Sequence, residues 1–226
     1  MSRLRANRHH WFGAAAFLAL VATMLFLITP IVAILTNTSP RTLIDASGES
    51  AHRQALWLSL KTTTAAMVII IVVGTPAAYF LALRSFRGRS VVLTLIELPL
   101  VMPPTVAGIA LLAAFGPAGL FGQAIEDAGV ELVFQTAGVV VALVFVASPF
   151  YLRQAIAAFA AIDPELIDTS RTLGSGPLKT FLRIAIPVAR PSLASGVALA
   201  WGRAIGEFGA TLLFAGSLVA VTQTAP

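Results

Sequence analysis

Five stretches of this chain are apolar for long enough to cross a bilayer, and nothing else in the sequence restricts its fold as tightly. Spanning the hydrocarbon layer takes about 20 apolar residues in a helix, and the stretches at about 11–36, 56–83, 92–115, 136–161 and 191–216 reach that length. Backbone amides in hydrocarbon must be bonded within the protein, so such runs dictate helices. The expected fold is all-α and polytopic, with residues 1–226 forming one transmembrane domain. Composition agrees: 58% of residues are hydrophobic and 11% charged, whereas soluble domains carry roughly 25% charged residues. The first run follows Arg3, Arg5 and Arg8, as a secretory signal would. A signal's apolar region is only about 7–15 residues long, however, so this run is read as a retained first helix.

Lysine and arginine are distributed unevenly between the ends of the runs. With the N-terminus in the cytoplasm, the inner segments hold Arg3, Arg5, Arg8, Arg84, Arg87, Arg89, Arg153, Arg171, Lys179, Arg183 and Arg190. That is eleven, against Arg41 and Arg53 outside, and the outer loop at 116–135 has only Glu126, Asp127 and Glu131. The positive-inside rule fixes this orientation. It also explains the net charge of +5 without nucleic acid, since the basic residues fall in short clusters between apolar runs. There is no cysteine, and His9, His10 and His52 lie outside the runs, so no metal site is expected. The chain stops at Gln223-Thr224-Ala225-Pro226 without a closing basic anchor, and a sixth helix beyond it is expected.

The segment 163–187, between the fourth and fifth runs, is expected to hold two short cytoplasmic helices. Asp163 is placed as an N-cap with Pro164 at the first helical position, and Gly174 as the stop. A second helix is expected from Pro177 to just before Pro187. Leu178, Phe181, Leu182 and Ala185 then share one face at i, i+3, i+4 and i+7, with Lys179 and Arg183 on another. Pattern alone leaves two readings open, a docking surface or a solvated connection. One false lead can be removed. Gly174-Ser175-Gly176-Pro177-Leu178-Lys179-Thr180 has the flavour of a phosphate loop, but the Walker pattern needs glycine directly before lysine. Leu178 stands there, and Pro177 has no amide to donate. Any ATP would have to be bound by another subunit.

The same segment, Asp168-Thr169-Ser170, then Gly174, then Ile184-Ala185-Ile186-Pro187, resembles the EAA loop of ABC importer permeases in the spacing of every element. Asp168 stands for the family's glutamate, Thr169 and Ser170 for its alanines, and Ile186 for a leucine. Arg203-Ala204-Ile205-Gly206-Glu207-Phe208-Gly209-Ala210-Thr211 and the following Phe214-Ala215-Gly216 look like the fifth-helix signature of molybdate permeases. Leu98 to Gly108, with Pro103 and Pro104, is similar to the proline-broken third helix of that subfamily. The resemblance implies a type I ABC importer-like permease in the bacterial cytoplasmic membrane. It works as a homodimer with two cytoplasmic ABC ATPases, which bind ATP and Mg, and a periplasmic or lipid-anchored oxyanion-binding protein. The chain itself is implied to have no catalytic residue and no cofactor. Asp168, Thr169, Ser170, Gly174, Ile184 and Pro187 are implied to couple to the ATPase, and the substrate to be molybdate. Sulfate or tungstate are the alternatives within the family.

Pro103, Pro104, Arg203, Glu207 and Thr211 are placed at the translocation path or gate. Prolines remove amide donors and break the helix, and broken helices in membranes tend to line cavities. Arg203 and Glu207, four residues apart inside the fifth run, are either a pathway element or an internal pair. The cost of burying either charge alone favours the pair. Gly202, Gly206 and Gly209 beside them are read first as close-packing positions. Lys61 and Glu97 are read as interface anchors able to snorkel toward headgroups. An ion-coupled secondary transporter would use Arg203, Glu207, Glu97 and Lys61 as coupling charges. The internal repeats common in such folds are absent from this sequence.

Overall fold

The computed structural model describes residues 3–37, 50–218 and 221–224, so the outer loop carrying Arg41 lies outside the described residues. Among these residues all regular structure is helical. The chain divides into two units, Met1–His52 and Arg53–Pro226. In the first, α1 (Arg3–Asn37) is apolar all round from Trp11 to Ala33, as suits a helix surrounded by hydrocarbon. Its hydroxyls are satisfied locally: Thr23 and Thr29 donate to the carbonyls of Ala19 and Leu25.

In the second unit α2 (Ser50–Leu83, entering from the first unit), α3 (Arg89–Val101), α4 (Pro104–Phe115), α5 (Gly122–Asp127) and α6 (Thr136–Ala160) follow in order. Then come α7 (Pro164–Thr172), α8 (Pro177–Thr180), one turn of π-helix (Phe181–Ala185), α9 (Ile186–Ile205) and α10 (Gly209–Ala215). The central helix is α6. Its Val139, Leu143, Ala147, Tyr151, Ala155 and Phe159 recur every fourth residue, and all are buried. Against this stripe α9 presents Ala189, Leu193, Gly196, Ala200 and Ala204, mostly small residues, which allow two helices to approach closely. Tyr151 is wedged between Gly74 of α2 and Gly196 of α9, and its hydroxyl meets that of Thr75 at 2.6 Å.

Four helical stretches are long and apolar enough to span a membrane: Trp11–Ala33, Arg53–Leu83, Thr136–Ala160 and Pro177–Ile205. Two of the five expected runs are not single helices. The third is split into α3 and α4. Met102 (ψ 132°) and Pro103 (ψ 141°) are both extended, because each precedes a proline and is pushed out of the helical region. The fifth, expected as one helix over 191–216, begins earlier and ends at Ile205, with Gly206–Phe208 interrupting it before α10. Pro187 does not stop a short helix either. The chain is helical from Pro177 to Ile205, and the π turn just before Pro187 bonds the Ile186 amide to the Phe181 carbonyl. This wider turn gives room where a proline ring would otherwise strike the preceding carbonyls. Arg153, counted above with the cytoplasmic residues, lies within α6, seven residues before its end.

Candidate functional site

The residues expected at the gate and at the coupling loop gather in two places, and the first is where the two interrupted runs meet. There α4 and α10 lie side by side because glycines leave room. A Cβ on Gly108 would come within 2.7 Å of Leu213 Cβ and 3.0 Å of the Ala210 carbonyl. A Cβ on Gly209 would come within 2.8 Å of Pro104 Cβ. The bend forced by Pro103-Pro104 is thereby seated on the start of α10. Gly202 and Gly206 make no such approach, so close packing in this region belongs to Gly209 and Gly108.

Glu207 fills the break between α9 and α10, and its side chain is only 1% exposed. One oxygen, Oε2, lies 2.5 Å from Arg203 Nη2. The other, Oε1, accepts from the Ala210 amide at 2.6 Å. Each oxygen thus serves a different helix. Arg203 sits in the last turn of α9, where a cation is favoured by the helix dipole, and the carboxylate stands at the start of α10, where an anion is favoured. Thr211 is buried too, its hydroxyl donating to the Phe208 carbonyl at 2.9 Å. Arg203 and Glu207 therefore form an ion pair as expected, but across a break and not along a continuous helix face. Arg203 remains 27% exposed, the less enclosed of the two.

The second place is the loop 163–187. Asp163 accepts from the Glu165 amide at 2.9 Å and starts α7. After α7, Gly174 adopts φ +80°, the left-handed region that costs glycine nothing, while the Ser175 amide bonds back to the Ser170 carbonyl. The expected apolar face divides in two. Phe181 and Ala185 turn inward, where Phe181 joins Tyr79 and Phe159 in an aromatic cluster with centroids 4.8 to 6.2 Å apart. Leu178 and Leu182 turn outward and stay exposed, as does Leu173 at the bend. The residues expected from the sequence to couple also separate. Asp168 and Thr169 are exposed, Asp168 within 3.4 Å of Arg171. Ser170 is buried and its hydroxyl meets that of Thr180 at 2.9 Å, which ties α7 to α8. Ile184 is half-buried and Pro187 exposed.

Sequence reasoning missed three features. Thr180 pairs with Ser170, and no local pattern joins residues ten apart. Gly108 owes its position to α10, a helix a hundred residues away. Glu97, read as a headgroup anchor, instead meets Arg153 of α6 at 3.4 Å. The last was open to detection, since two opposite charges inside apolar runs invite pairing.

Residues 70–225 match the family described as binding-protein-dependent transport system inner membrane component. The molybdenum transport system permease protein ModB of Mycobacterium tuberculosis is 43% identical over 214 residues, covering 93% of this chain and 80% of that one. The probable transport system permease protein NifC of Clostridium pasteurianum is 36% identical over 215 residues, covering 94% and 75%. Among solved structures, a bacterial alginate ABC transporter in complex with an alginate pentasaccharide-bound periplasmic protein superposes with a TM-score of 0.75. It is 15% identical, with coverage of 97% and 80%, and the likeness is one of fold.

Proposed function

This chain belongs to the binding-protein-dependent transport system inner membrane components and is the permease subunit of an ABC importer; from that premise we propose that it carries molybdate into the cell. It does so as a homodimer in the bacterial cytoplasmic membrane with its N-terminus inside. Two ATPases dock on the loops 163–187, and a periplasmic or lipid-anchored binding protein delivers the anion outside. The substrate reading is supported by the name of the 43% identical relative. Delivery by a binding protein is supported by the like-folded importer solved with its periplasmic partner.

One observation carries the coupling reading. A single helical stretch runs from Pro177 in the loop to Ile205 at the intramembrane break, about 42 Å at roughly 1.5 Å per residue. Its loop end offers exposed Leu178 and Leu182, beside Leu173 at the preceding bend, as an apolar anchor for a groove. Just beyond, Phe181 is packed into the core. Its far end carries Arg203 and is joined through Glu207 to α10. When ATP draws the two ATPases together, the displaced loop moves this helix as a lever. The break at Gly206–Phe208, with Pro104 seated against Gly209 just after it, is where that motion alters the path. Pro103, Pro104, Arg203, Glu207 and Thr211 act as gate-positioning residues in this scheme, and ATP and Mg stay with the partner.

Uptake of labelled molybdate into proteoliposomes holding the complex, with ATP and binding protein, tests the proposal. Uptake should require ATP and should be displaced by excess unlabelled molybdate more effectively than by sulfate. Preference for sulfate or for tungstate would reassign the substrate within the family. Uptake driven by an ion gradient without ATP would overturn the scheme.

A further inference from the structure

Among the described residues, one charged pair outside the break and the loop is unexplained by either. Glu97 of α3 and Arg153 of α6 meet at 3.4 Å, with side chains 51% and 64% exposed. Both lie well inside apolar helices. Arg153 is seven residues from the end of α6 at Ala160, about 10 Å along the axis, and Glu97 is eight residues past Arg89, about 12 Å. Ile156, Ala157 and Phe159 separate Arg153 from its end, and Val91, Val92, Leu93 and Ile96 separate Glu97 from its own. Arginine has a long enough side chain to reach headgroups from such depth, yet it turns sideways to Glu97, whose shorter chain has no such reach. A cavity of about 200 Å³ lies beside the pair, lined also by Leu93, Ile96, Ile156 and Ala157. That is room for several waters at roughly 30 Å³ each. Ionised groups exposed within a membrane span face water or other protein, not hydrocarbon.

We propose that the Glu97–Arg153 pair borders a water-filled inner half of the conducting path, and that Arg153 is a contact there for a small oxyanion on its way to the cytoplasm. Glu97 is the counter-ion that positions the guanidinium and keeps its hold on the anion weak, as transit demands. An arginine suits this task because its fork retains donors for an oxyanion while one edge is held by a carboxylate. The proposal rests on the oxyanion-permease reading above, with the Arg84–Arg89 end of the helices inside.

Because the chain has no cysteine, single replacements give a clean test in inside-out vesicles containing the complex with its ATPase. Leu93→Cys and Ala157→Cys line the cavity, while Leu95→Cys, at 57% exposure outside the cavity lining, serves as the comparison. Small water-soluble methanethiosulfonates of either charge should modify the first two at least about tenfold faster than the third. Preference for the anionic reagent at Ala157→Cys should fall by about tenfold when Arg153→Gln is added and rise with Glu97→Gln. Arg153→Lys keeps the charge and should keep the preference, which separates the charge effect from a folding defect. Uniformly slow labelling would mean that lipid or protein covers the pair, and an unchanged preference would mean that Arg153 does not act on anions; either overturns the proposal. Normal labelling without molybdate uptake would sink only the substrate reading.

Discussion

At Glu207 a single carboxylate closes a gap in the backbone, because its two oxygens bind partners on opposite sides of the break. Removing it strands Arg203 and also frees the Ala210 amide. Breaking a buried pair by deleting one partner costs roughly 3–5 kcal/mol. Arg203→Ala and Glu207→Ala should each lower the yield of folded protein, scored by monodispersity of a fluorescent fusion in detergent. The double replacement should recover part of the loss but not all, since the Ala210 amide stays uncapped. Arg203→Ala with normal yield and abolished uptake would show instead that the guanidinium acts on substrate. Smaller residues matter here for what they lack: Gly108 and Gly209 let α4 and α10 touch, and a methyl group at either would have to displace a neighbour.

At the scale of elements, the bend between α7 and α8 depends on one backbone angle. Around Gly174 there is open space for a side chain, so its requirement is conformational, φ +80°. Two residues on, Gly176 also has open space but an ordinary φ of −67°. Gly174→Val should therefore misplace the docking helix at a cost of about 1 kcal/mol or more, leaving ATP hydrolysis poorly stimulated and uptake reduced. Gly176→Ala should leave both near wild type. Equal behaviour of the two variants, measured as uptake per ATP hydrolysed, would remove the left-handed turn from the coupling scheme. The Ser170–Thr180 bond holds the same bend from inside.

For the whole molecule, the proposed docking depends on which way the chain is oriented in the membrane. A cysteine reporter belongs at an exposed outer position. Gly122 is unsuitable, because its absent side chain makes room for the carbonyls of Gly116 and Pro117, whereas Gln123 is exposed. Gln123→Cys should react with an impermeant thiol reagent from outside intact cells, and Ser175→Cys only after the inner face is opened. Reversed labelling would turn the membrane topology over and carry the docking loop to the wrong side.

Apolar runs near 20 residues long determined by themselves that this chain is helical and membrane-embedded, since unpaired amides are intolerable in hydrocarbon. Local chemistry determined some of its punctuation as well. Pro103-Pro104 had to break a helix, Asp163-Pro164 had to start one, and Gly174 had to turn the chain. Arg203 and Glu207 were legible as partners because four residues is within reach of one another. What only tertiary structure decided was where apolar side chains of the same helix would point. Phe181 found Tyr79 and Phe159, whereas Leu178, three residues away, was left outside. The end of α9 at Ile205 was likewise hidden, because the interruption there is bridged by Glu207 and Gly209 just after it packs against Pro104 from a distant segment. A sequence records the propensity of each stretch, but where a break falls within an apolar run also depends on which distant segment packs beside it, as Pro104 does at Gly209.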